Sequence, residues 1–156
     1  MVGFAYDVHR LAPGESLVLG GITLESRLGT VAHSDGDVLV HAIMDALLGA
    51  LALGDIGLHF PDTAEKWRGA DSIAMLTRVH HLIRNEGAHI VNVDSTVVLE
   101  APRLRPHIDA MRKRIAEALS LEVKRVSIKA TTSERLGFVG REEGVAAHAV
   151  AQVEWD

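Results

Sequence analysis

The sequence contains no cysteine, which excludes disulfide bonds and any metal site built on thiolate ligands. A metal bound by this chain would therefore be held by His, Asp or Glu side chains. Aromatic residues are also scarce, at 4% of the chain, so we expect an aliphatic core of Ala, Val, Leu and Ile. No apolar run reaches the roughly 18 residues that a transmembrane helix needs, and this predicts that the chain has no membrane span.

The charge balance is mildly acidic, with a net charge of −5 when His is neutral. A nucleic-acid surface would need a stripe of Lys and Arg, so the composition argues against that class of protein. An anionic small molecule stays compatible with it, because metal ions, helix N-termini and a few Arg residues make a cleft locally positive. The length of 156 residues predicts a single domain over residues 1–156. The first residues resemble a strand rather than a signal segment, so we expect a cytoplasmic bacterial enzyme.

The apolar periodicity predicts elements in the order β-β-α-α-β-α-β-β. This order is typical of an α+β two-layer sandwich, in which helices cover one face of a mixed, four-stranded main sheet and a small β-hairpin stands apart. Two segments without a clear pattern, 55–69 and 131–143, are predicted to be loops. The predicted elements are a strand at 2–6, a hairpin of 16–19 and 22–24 around Gly20-Gly21, helices at about 37–53, 70–85 and 106–119, and strands at 90–99, 123–130 and 145–155.

A metal site is indicated by the motif Asp7-Val8-His9, which directly follows the first predicted strand. Residues two apart on a strand point to the same face, so Asp7 and His9 would project side by side. His41, on the first long helix, is the best third ligand, and the three would leave a fourth position open. Asp37 and Asp45 lie one turn before and after His41, where a carboxylate can accept its other ring N–H. On spacing alone, two alternatives stay open: Asp7 caps a turn while His9 is a surface residue, and His41 faces solvent on an amphipathic helix.

Two further segments carry groups that suit phosphate. Ala32–Asp37 lies at a predicted helix start, where free N–H groups favour anions, and His33 could orient one. Lys129–Arg135 ends a strand with hydroxyl groups, and Glu134 there could hold a hard cation such as Mg²⁺. Each segment has an ordinary alternative, a helix cap and a polar strand-to-loop transition. The sequence contains no GxxxxGK[ST], GxGxxG or GxSxG motif, so phosphate chemistry here would depend on metal ions.

Further motifs are spread along the whole chain, and their joint order is more specific than any one of them. They are Ala5-Tyr6-Asp7-Val8-His9-Arg10, Gly20-Gly21, Ala32-His33-Ser34-Asp35-Gly36-Asp37, His41-Ala42, Asp45-Ala46-Leu47-Leu48-Gly49, Gly54-Asp55-Ile56-Gly57, Phe60-Pro61-Asp62-Thr63, Asn92-Val93-Asp94, Ala101-Pro102, Lys129-Ala130-Thr131-Thr132, Gly137-Phe138 and Gly140-Arg141. Taken together, these motifs resemble the 2-C-methyl-D-erythritol 2,4-cyclodiphosphate synthase family over essentially the whole chain. Ala5, where the family usually has Gly, and the basic residues Arg103 and Arg105 depart from the family pattern.

The resemblance implies a cyclising phosphorus–oxygen lyase of the non-mevalonate (MEP) pathway of isoprene and terpenoid biosynthesis. Such an enzyme converts 4-diphosphocytidyl-2-C-methyl-D-erythritol 2-phosphate into the 2,4-cyclodiphosphate and releases CMP. An oxygen of the 2-phosphate attacks the β-phosphorus, so proximity and charge stabilisation supply most of the catalysis. The resemblance also implies a cytoplasmic homotrimer with active sites between subunits and an axial cavity that takes an isoprenoid diphosphate. It implies no nucleic-acid or membrane partner.

The family's functional positions carry over to this chain residue by residue. Its zinc ligands fall on Asp7, His9 and His41, with one Zn²⁺ per subunit, and a second ion, Mg²⁺ or Mn²⁺, would meet Glu134. The transition-state stabilisers fall on His33 and Thr132. Substrate contacts fall on Asp7, Val8, His9, His33, Ser34, Asp55, Ile56, Gly57, Phe60, Pro61, Asp62, Thr63 and Ala64 for the methylerythritol phosphate, on Leu99, Glu100, Ala101, Pro102, Arg103, Leu104, Arg105, Thr131, Thr132, Ser133 and Glu134 for the cytidine, and on Phe138 and Arg141; the mouth of the axial cavity falls on Arg141 and Glu143.

Two other functions would use the same three ligands. A zinc hydrolase would need a general base beside the open zinc position, and Asp55 or Glu134 could serve, although no HExxH helix supports this function. A trimeric sensor would bind isoprenoid diphosphates without turnover. The products distinguish the three functions, since a synthase releases CMP, a hydrolase releases inorganic phosphate and a sensor releases neither.

Overall fold

The computed structural model describes all residues, 1–156, and its strands and helices alternate much as the apolar periodicity predicts. The strands are β1 (Val2–Pro13), β2 (Leu17–Leu19), β3 (Ile22–Leu24), β4 (Leu28–Val31), β5 (Ala88–Val98), β6 (Val126–Thr131) and β7 (Gly144–Trp155). The α-helices are α1 (Val38–Ala50), α2 (Ile56–His59), α3 (Ser72–Asn85), α4 (Ile108–Ala118) and α5 (Gly137–Gly140), and short 3-10 turns span Glu65–Trp67, Arg105–His107 and Val123–Arg125.

The main sheet has five strands in the order β4-β1-β7-β5-β6, and β2 and β3 form the separate hairpin. Only β5 and β6 run parallel, so the sheet is mixed, and the predicted α+β sandwich is confirmed. The predicted number of four strands is wrong, because Leu28–Val31 pairs with the second half of β1. This fifth strand has only four residues and includes Gly29, which packs against the backbone of Glu15, so its apolar alternation is too short to be recognised.

The two faces of β1 differ sharply in exposure. Val2, Phe4, Tyr6 and Val8 are exposed on the face away from the helices, whereas Gly3, Ala5 and Leu11 are buried beneath them. The core under the helices is aliphatic, as the composition predicts, and Phe60 is its one aromatic member. The scarcity of aromatic residues therefore leaves the packing of this layer to Ala, Val, Leu, Ile and Met. No helix in the chain combines the length and the apolar character needed to cross a membrane.

Helix α1 lies unusually close to β1, and this contact positions the candidate site. A Cβ atom added to Gly3 would fall 1.8 Å from the carbonyl oxygen of Ala46 and 2.6 Å from the backbone nitrogen of Ala50. Only glycine on the strand, opposite alanines on the helix, permits this approach of two backbones. The same helix carries His41 two turns earlier, so the close approach brings that imidazole towards the inner face of β1.

Both segments predicted to be loops contain short helices. Residues 55–69 include α2 and the turn Glu65–Trp67, and residues 131–143 include α5. These helices span three or four residues, which is less than the window over which helical periodicity can be recognised. Helix α1 ends at Ala50 rather than near Leu53, because Ala52 takes a left-handed conformation with φ of 57°.

Candidate metal and phosphate site

Three potential metal ligands meet where β1 faces α1. Asp7 Oδ2 lies 3.0 Å from His9 Nε2, and His41 Nδ1 lies 3.1 Å from His9 Nε2 and 3.5 Å from Asp7 Oδ2. The alternation of β1 places Asp7 and His9 on its inner face, opposite Ala147 and Val145 of β7 in the sheet. The predicted grouping of Asp7, His9 and His41 is thus present in the fold, and His41 is buried rather than facing solvent.

The spacing of these three atoms fits a single metal ion. Ligand atoms at roughly 2.0–2.1 Å from a tetrahedral zinc ion lie about 3.4 Å from one another. The three observed separations, 3.0, 3.1 and 3.5 Å, bracket that value. One carboxylate and two imidazoles form a donor set that suits a divalent transition metal, and three protein ligands leave a position for another group.

The electrostatics of the site favour an ionised carboxylate. Burial would raise the pKa of Asp7, but hydrogen bonds with His41 and His9 and the charges of both imidazoles hold that pKa well below its usual range. Burial would lower the pKa of His41, but the hydrogen bond and charge of Asp7 outweigh it and raise that pKa. An ionised Asp7 carboxylate is therefore available to hold a cation at this position.

The second ring nitrogen of His41 has a partner that the sequence did not predict. His41 Nε2 lies 3.1 Å from Ser72 Oγ, at the start of α3, and 3.2 Å from Ser34 Oγ. The prediction that Asp37 or Asp45 orients this ring is wrong, since both carboxylates are engaged elsewhere. The carboxylate of Asp37 accepts the N–H groups of Gly20, Gly21 and Val40, and Asp45 accepts the N–H of Ile56.

Asp37 also changes the expectation for the helix start at Ala32–Asp37. Its carboxylate caps α1 by accepting from Val40 N, so part of the N-terminal anion site of the helix is already filled by the chain itself. Burial raises the pKa of Asp37 to about 6, even though the backbone N–H groups of Gly21 and Val40 act in the opposite direction. The cap thus joins the β2–β3 hairpin to the first turn of α1, the helix that carries His41.

A pocket of about 360 Å³ opens over the three ligands. His33 lines it, and its Nε2 is buried without a hydrogen-bond partner within the protein. Several residues at predicted substrate-contact positions share the pocket, together with some that the sequence did not single out. The pocket is lined by Asp7, His9, Val31, Ala32, His33, Ser34, His41, Ile56, Gly57, Phe60, Asp62, Trp67 and Met75.

A second pocket, of about 250 Å³, lies at the carboxyl ends of β5 and β6. These strands are parallel, and Leu99 N donates to Thr131 O, so the segments that follow them emerge together. No residue is shared with the pocket over the metal ligands, so Thr132 and His33 stand apart within one chain. The second pocket is lined by Leu99, Glu100, Pro102, Arg103, Leu104, Arg105, Ile108, Ala130, Thr131 and Thr132.

The other predicted site residues lie outside both linings. Val8 is exposed on the opposite face of β1 from the metal ligands. Glu134 is exposed, in a left-handed conformation with φ of 56°, and is separate from the three clustered ligands. Arg141 and Glu143 form an exposed ion pair with Nε–Oε1 of 3.0 Å. The remaining members are Asp55, the cap of α2, and Pro61, Thr63, Ala64, Ala101, Ser133 and Phe138.

Sequence reasoning missed the contact of Ser72 with Asp35, which connects His41 to the start of α3. Asp35 lies in the motif Ala32–Asp37, but nothing in its spacing showed that its carboxylate accepts from Ser72. Ser72 is the first residue of α3 and looks like an ordinary first-turn residue. The contact arises from the packing of α3 beside α1, so no local sequence signal could have indicated it.

Comparisons with known proteins find relatives that align with nearly the full length of the chain. The YgbB family matches residues 1–154. The 2-C-methyl-D-erythritol 2,4-cyclodiphosphate synthase of Ectopseudomonas mendocina is 57% identical over 150 residues, which cover 96% of each chain. The protein of the same name from Symbiobacterium thermophilum is 58% identical over 153 residues, or 98% of each chain.

Solved structures of proteins with related names share the fold of this chain. A 2C-methyl-D-erythritol-2,4-cyclodiphosphate synthase in its CDP-bound form aligns with a TM-score of 0.91 and 38% identity, covering 99% of this chain and 100% of that one. A bifunctional IspDF from Campylobacter jejuni aligns with a TM-score of 0.95 and 39% identity, covering 99% of this chain and 42% of the longer one.

The fold, the cluster of three potential ligands and these relatives define an enzyme with a potential metal site between the sheet and α1 of an α+β sandwich. The chain belongs to the YgbB family. The class implied by the resemblance, a cyclodiphosphate synthase of the non-mevalonate isoprenoid pathway, is confirmed by the names that its relatives carry.

Proposed function

We propose that the pocket over Asp7, His9 and His41 cyclises 4-diphosphocytidyl-2-C-methyl-D-erythritol 2-phosphate to the 2,4-cyclodiphosphate. An oxygen of the 2-phosphate forms a bond to the β-phosphorus, the bond between that phosphorus and the bridging oxygen breaks, and CMP leaves with the electron pair. The observation that carries the proposal is the convergence of three metal donors, with separations of 3.0–3.5 Å, in a pocket lined by residues that match the family's substrate positions.

Asp7, His9 and His41 would hold Zn²⁺, and Glu134 would contribute to a second site for Mg²⁺ or Mn²⁺. The donor set supports zinc, since two imidazoles and a carboxylate with an open position form a common catalytic zinc site. When bound, the ions supply positive charge against the phosphate oxygens. The exposed carboxylate of Glu134 suits a hard cation that keeps several of its waters.

His33 and Thr132 would stabilise the transition state. The buried, unpartnered Nε2 of His33 would gain a hydrogen bond from contact with a substrate phosphate group, which offsets the cost of its burial. Thr132 Oγ accepts the N–H of Glu134 at 3.3 Å, so its own hydroxyl proton stays available to donate to a phosphate oxygen. Such groups stabilise developing charge most when they are positioned before the substrate binds.

The site would be completed by a second copy of the chain, within a homotrimer. Two observations support this assembly: His33 and Thr132 line separate pockets of one chain, and the outer face of β1 is apolar and exposed. The second pocket, with Leu99–Arg105 on one wall, would take the cytidine, consistent with the related synthase that binds CDP. Pairing of the two pockets across subunits would bring the diphosphate between the cytidine pocket and the metal ligands.

The three functions considered from the sequence are separated by their products. The purified protein is incubated with the cytidylyl substrate, Zn²⁺ and Mg²⁺, and the products are followed by ³¹P NMR. We expect CMP and a cyclic diphosphate in equal amounts, and a His33→Gln variant should retain zinc while its turnover falls at least tenfold. Release of inorganic phosphate would instead identify a hydrolase, and binding without any product would identify a sensor.

A further inference from the structure

We propose that Ser72 and Asp35 are positioning residues that determine which ring nitrogen of His41 is offered to the metal. The inference rests on the metal site proposed above and deepens it. Neither residue is a member of the three-ligand cluster, and neither lines the pocket above it. Both act through His41, which lies between them and the other two ligands.

The three residues form a continuous chain of hydrogen bonds. Ser72 Oγ lies 3.1 Å from His41 Nε2 and donates its proton to Asp35 Oδ1. The same carboxylate accepts the backbone N–H of Ser72 at 2.9 Å, through Oδ2, and that of Asp37 at 3.1 Å, through Oδ1. Asp35 therefore accepts three hydrogen bonds, from the Ser72 hydroxyl and from the backbone N–H groups of Ser72 and Asp37.

The direction of these hydrogen bonds determines which ring nitrogen of His41 carries the proton. A hydroxyl has one proton, and Ser72 gives it to a carboxylate that only accepts. The oxygen of Ser72 can then present only a lone pair to His41 Nε2, so that nitrogen must carry the ring proton. The other nitrogen, Nδ1, is left with its lone pair, and it is the atom that lies 3.1 Å from His9 Nε2 and 3.5 Å from Asp7 Oδ2. The hydrogen-bond chain thus selects the metal-binding tautomer.

The arrangement is rigid because it is buried and anchored at both ends. Ser72 has no solvent-exposed surface, and His41 is 5% exposed. The backbone N–H of Asp35 donates to Ala70 O at 3.2 Å, and Ser72 occupies the first turn of α3. By contrast, Ser34 Oγ, 3.2 Å from the same His41 nitrogen, is bound to no carboxylate, so its hydroxyl can rotate to donate or accept. Ser34 alone would not fix the tautomer.

The test measures the affinity of the metal-free protein for Zn²⁺ alone, by competition with a chromophoric chelator. We expect Ser72→Ala to bind Zn²⁺ about 10–100-fold more weakly, the effect typical of losing a group that orients a ligating histidine. Asp35→Asn should weaken binding by a smaller factor, because its amide still accepts one bond. Ser95→Ala is the matched control: Ser95 is also buried, but its hydroxyl donates to Ser127 O away from the metal ligands, and its affinity should stay within about twofold.

A second measurement separates positioning from a loss of packing. In ¹⁵N NMR of the zinc-bound protein, the Nε2 proton of His41 should be visible and protected in the parent, and should exchange rapidly in Ser72→Ala. Zinc affinity within twofold of the parent in both Ser72→Ala and Asp35→Asn would overturn the inference. If Ser72→Ala does not fold, Asp35→Asn decides alone. If the parent protein binds no Zn²⁺, the metal site of the proposed function is refuted. If His41→Ala loses zinc but Ser72→Ala keeps it, only the positioning role is refuted.

Discussion

His41 Nδ1 lies 3.1 Å from His9 Nε2, although 32 positions separate the two residues in the chain. Replacing His41 by Ala should reduce the bound zinc close to zero and abolish turnover, because two remaining ligands seldom hold the ion. The free energy of unfolding should fall by about 1–3 kcal/mol, since the hydroxyls of Ser34 and Ser72 lose a buried partner. Metal content by mass spectrometry and chemical denaturation check the two effects. His80→Ala, on the far part of α3, is the control, and full zinc occupancy in His41→Ala would refute the three-ligand site.

The contact between Gly3 and α1 predicts opposite effects of two Gly→Ala changes. Gly3→Ala should destabilise the protein by about 1–3 kcal/mol, because the new methyl group would clash with Ala46 O. It should also weaken zinc binding, because the clash displaces the helix that carries His41. Gly49→Ala, on the same helix, meets no atom within 4 Å and should stabilise it by about 0.5–1 kcal/mol. Thermal unfolding and zinc titration of both variants provide the comparison; a neutral Gly3→Ala would contradict this account of the close approach.

Asp37 makes a pH-dependent contribution to stability whose sign can be stated. Its pKa is raised by burial from an ordinary value of 3.8 to about 6, so between these two pH values the folded state holds a proton that the unfolded state has lost. The contribution is present below pH 3.8 and is lost as the pH rises through about 6, and a shift of this size corresponds to roughly 3 kcal/mol.

In Asp37→Asn this dependence should disappear. The unfolding free energy of the parent minus that of the variant should therefore be larger at pH 4 than at pH 7. It is measured in urea at one protein concentration, so that self-association does not alter the comparison. Asp109→Asn, at an exposed position in α4, controls for the change in net charge. An equal difference at both pH values would show that Asp37 keeps the same protonation state in the folded and unfolded protein.

Glu134→Gln should affect the second metal ion more than the first. Glu134 is exposed and separate from the Asp7–His9–His41 cluster, so zinc content should not change. The concentration of Mg²⁺ needed for half-maximal activity should rise several-fold, because the amide is a weaker ligand than the carboxylate. Glu117→Gln, exposed on α4, serves as the control. An unchanged Mg²⁺ titration would remove Glu134 from the proposed site.

Phe4→Glu should prevent assembly of the proposed homotrimer. Phe4 is 65% exposed on the outer face of β1, beside Tyr6 and Val8, and a carboxylate buried against another copy would be unpaired. Light scattering should give three times the chain mass of 16.8 kDa for the parent and a smaller mass for the variant. Val123→Glu, an exposed apolar position before β6, should assemble normally. Trimers of unchanged stability in Phe4→Glu would exclude this face from the interface.

Much of the site was recognisable from local patterns. The two-residue period of a strand is enough to place Asp7 and His9 on one face, and the period of α1, with its Asp37 cap, is enough to define the helix that bears His41. The hairpin around Gly20-Gly21 and the mixed sheet were also predicted, because each depends on short-range periodicity and turn residues. The family resemblance then supplied the roles proposed for these residues, since the order of many motifs is specific where each motif alone is not.

The long-range contacts could not be obtained in this way. Whether His41 faces Asp7 depends on how closely α1 approaches β1, which the missing side chain of Gly3 permits only when the two are packed. The partner of His41 proved to be Ser72 rather than a carboxylate on its own helix, because α3 packs beside α1 and Asp37 is used to hold the hairpin. Sequence periodicity describes which face of an element is apolar, but the distance and rotation between two faces are set by close packing of side chains from distant parts of the chain.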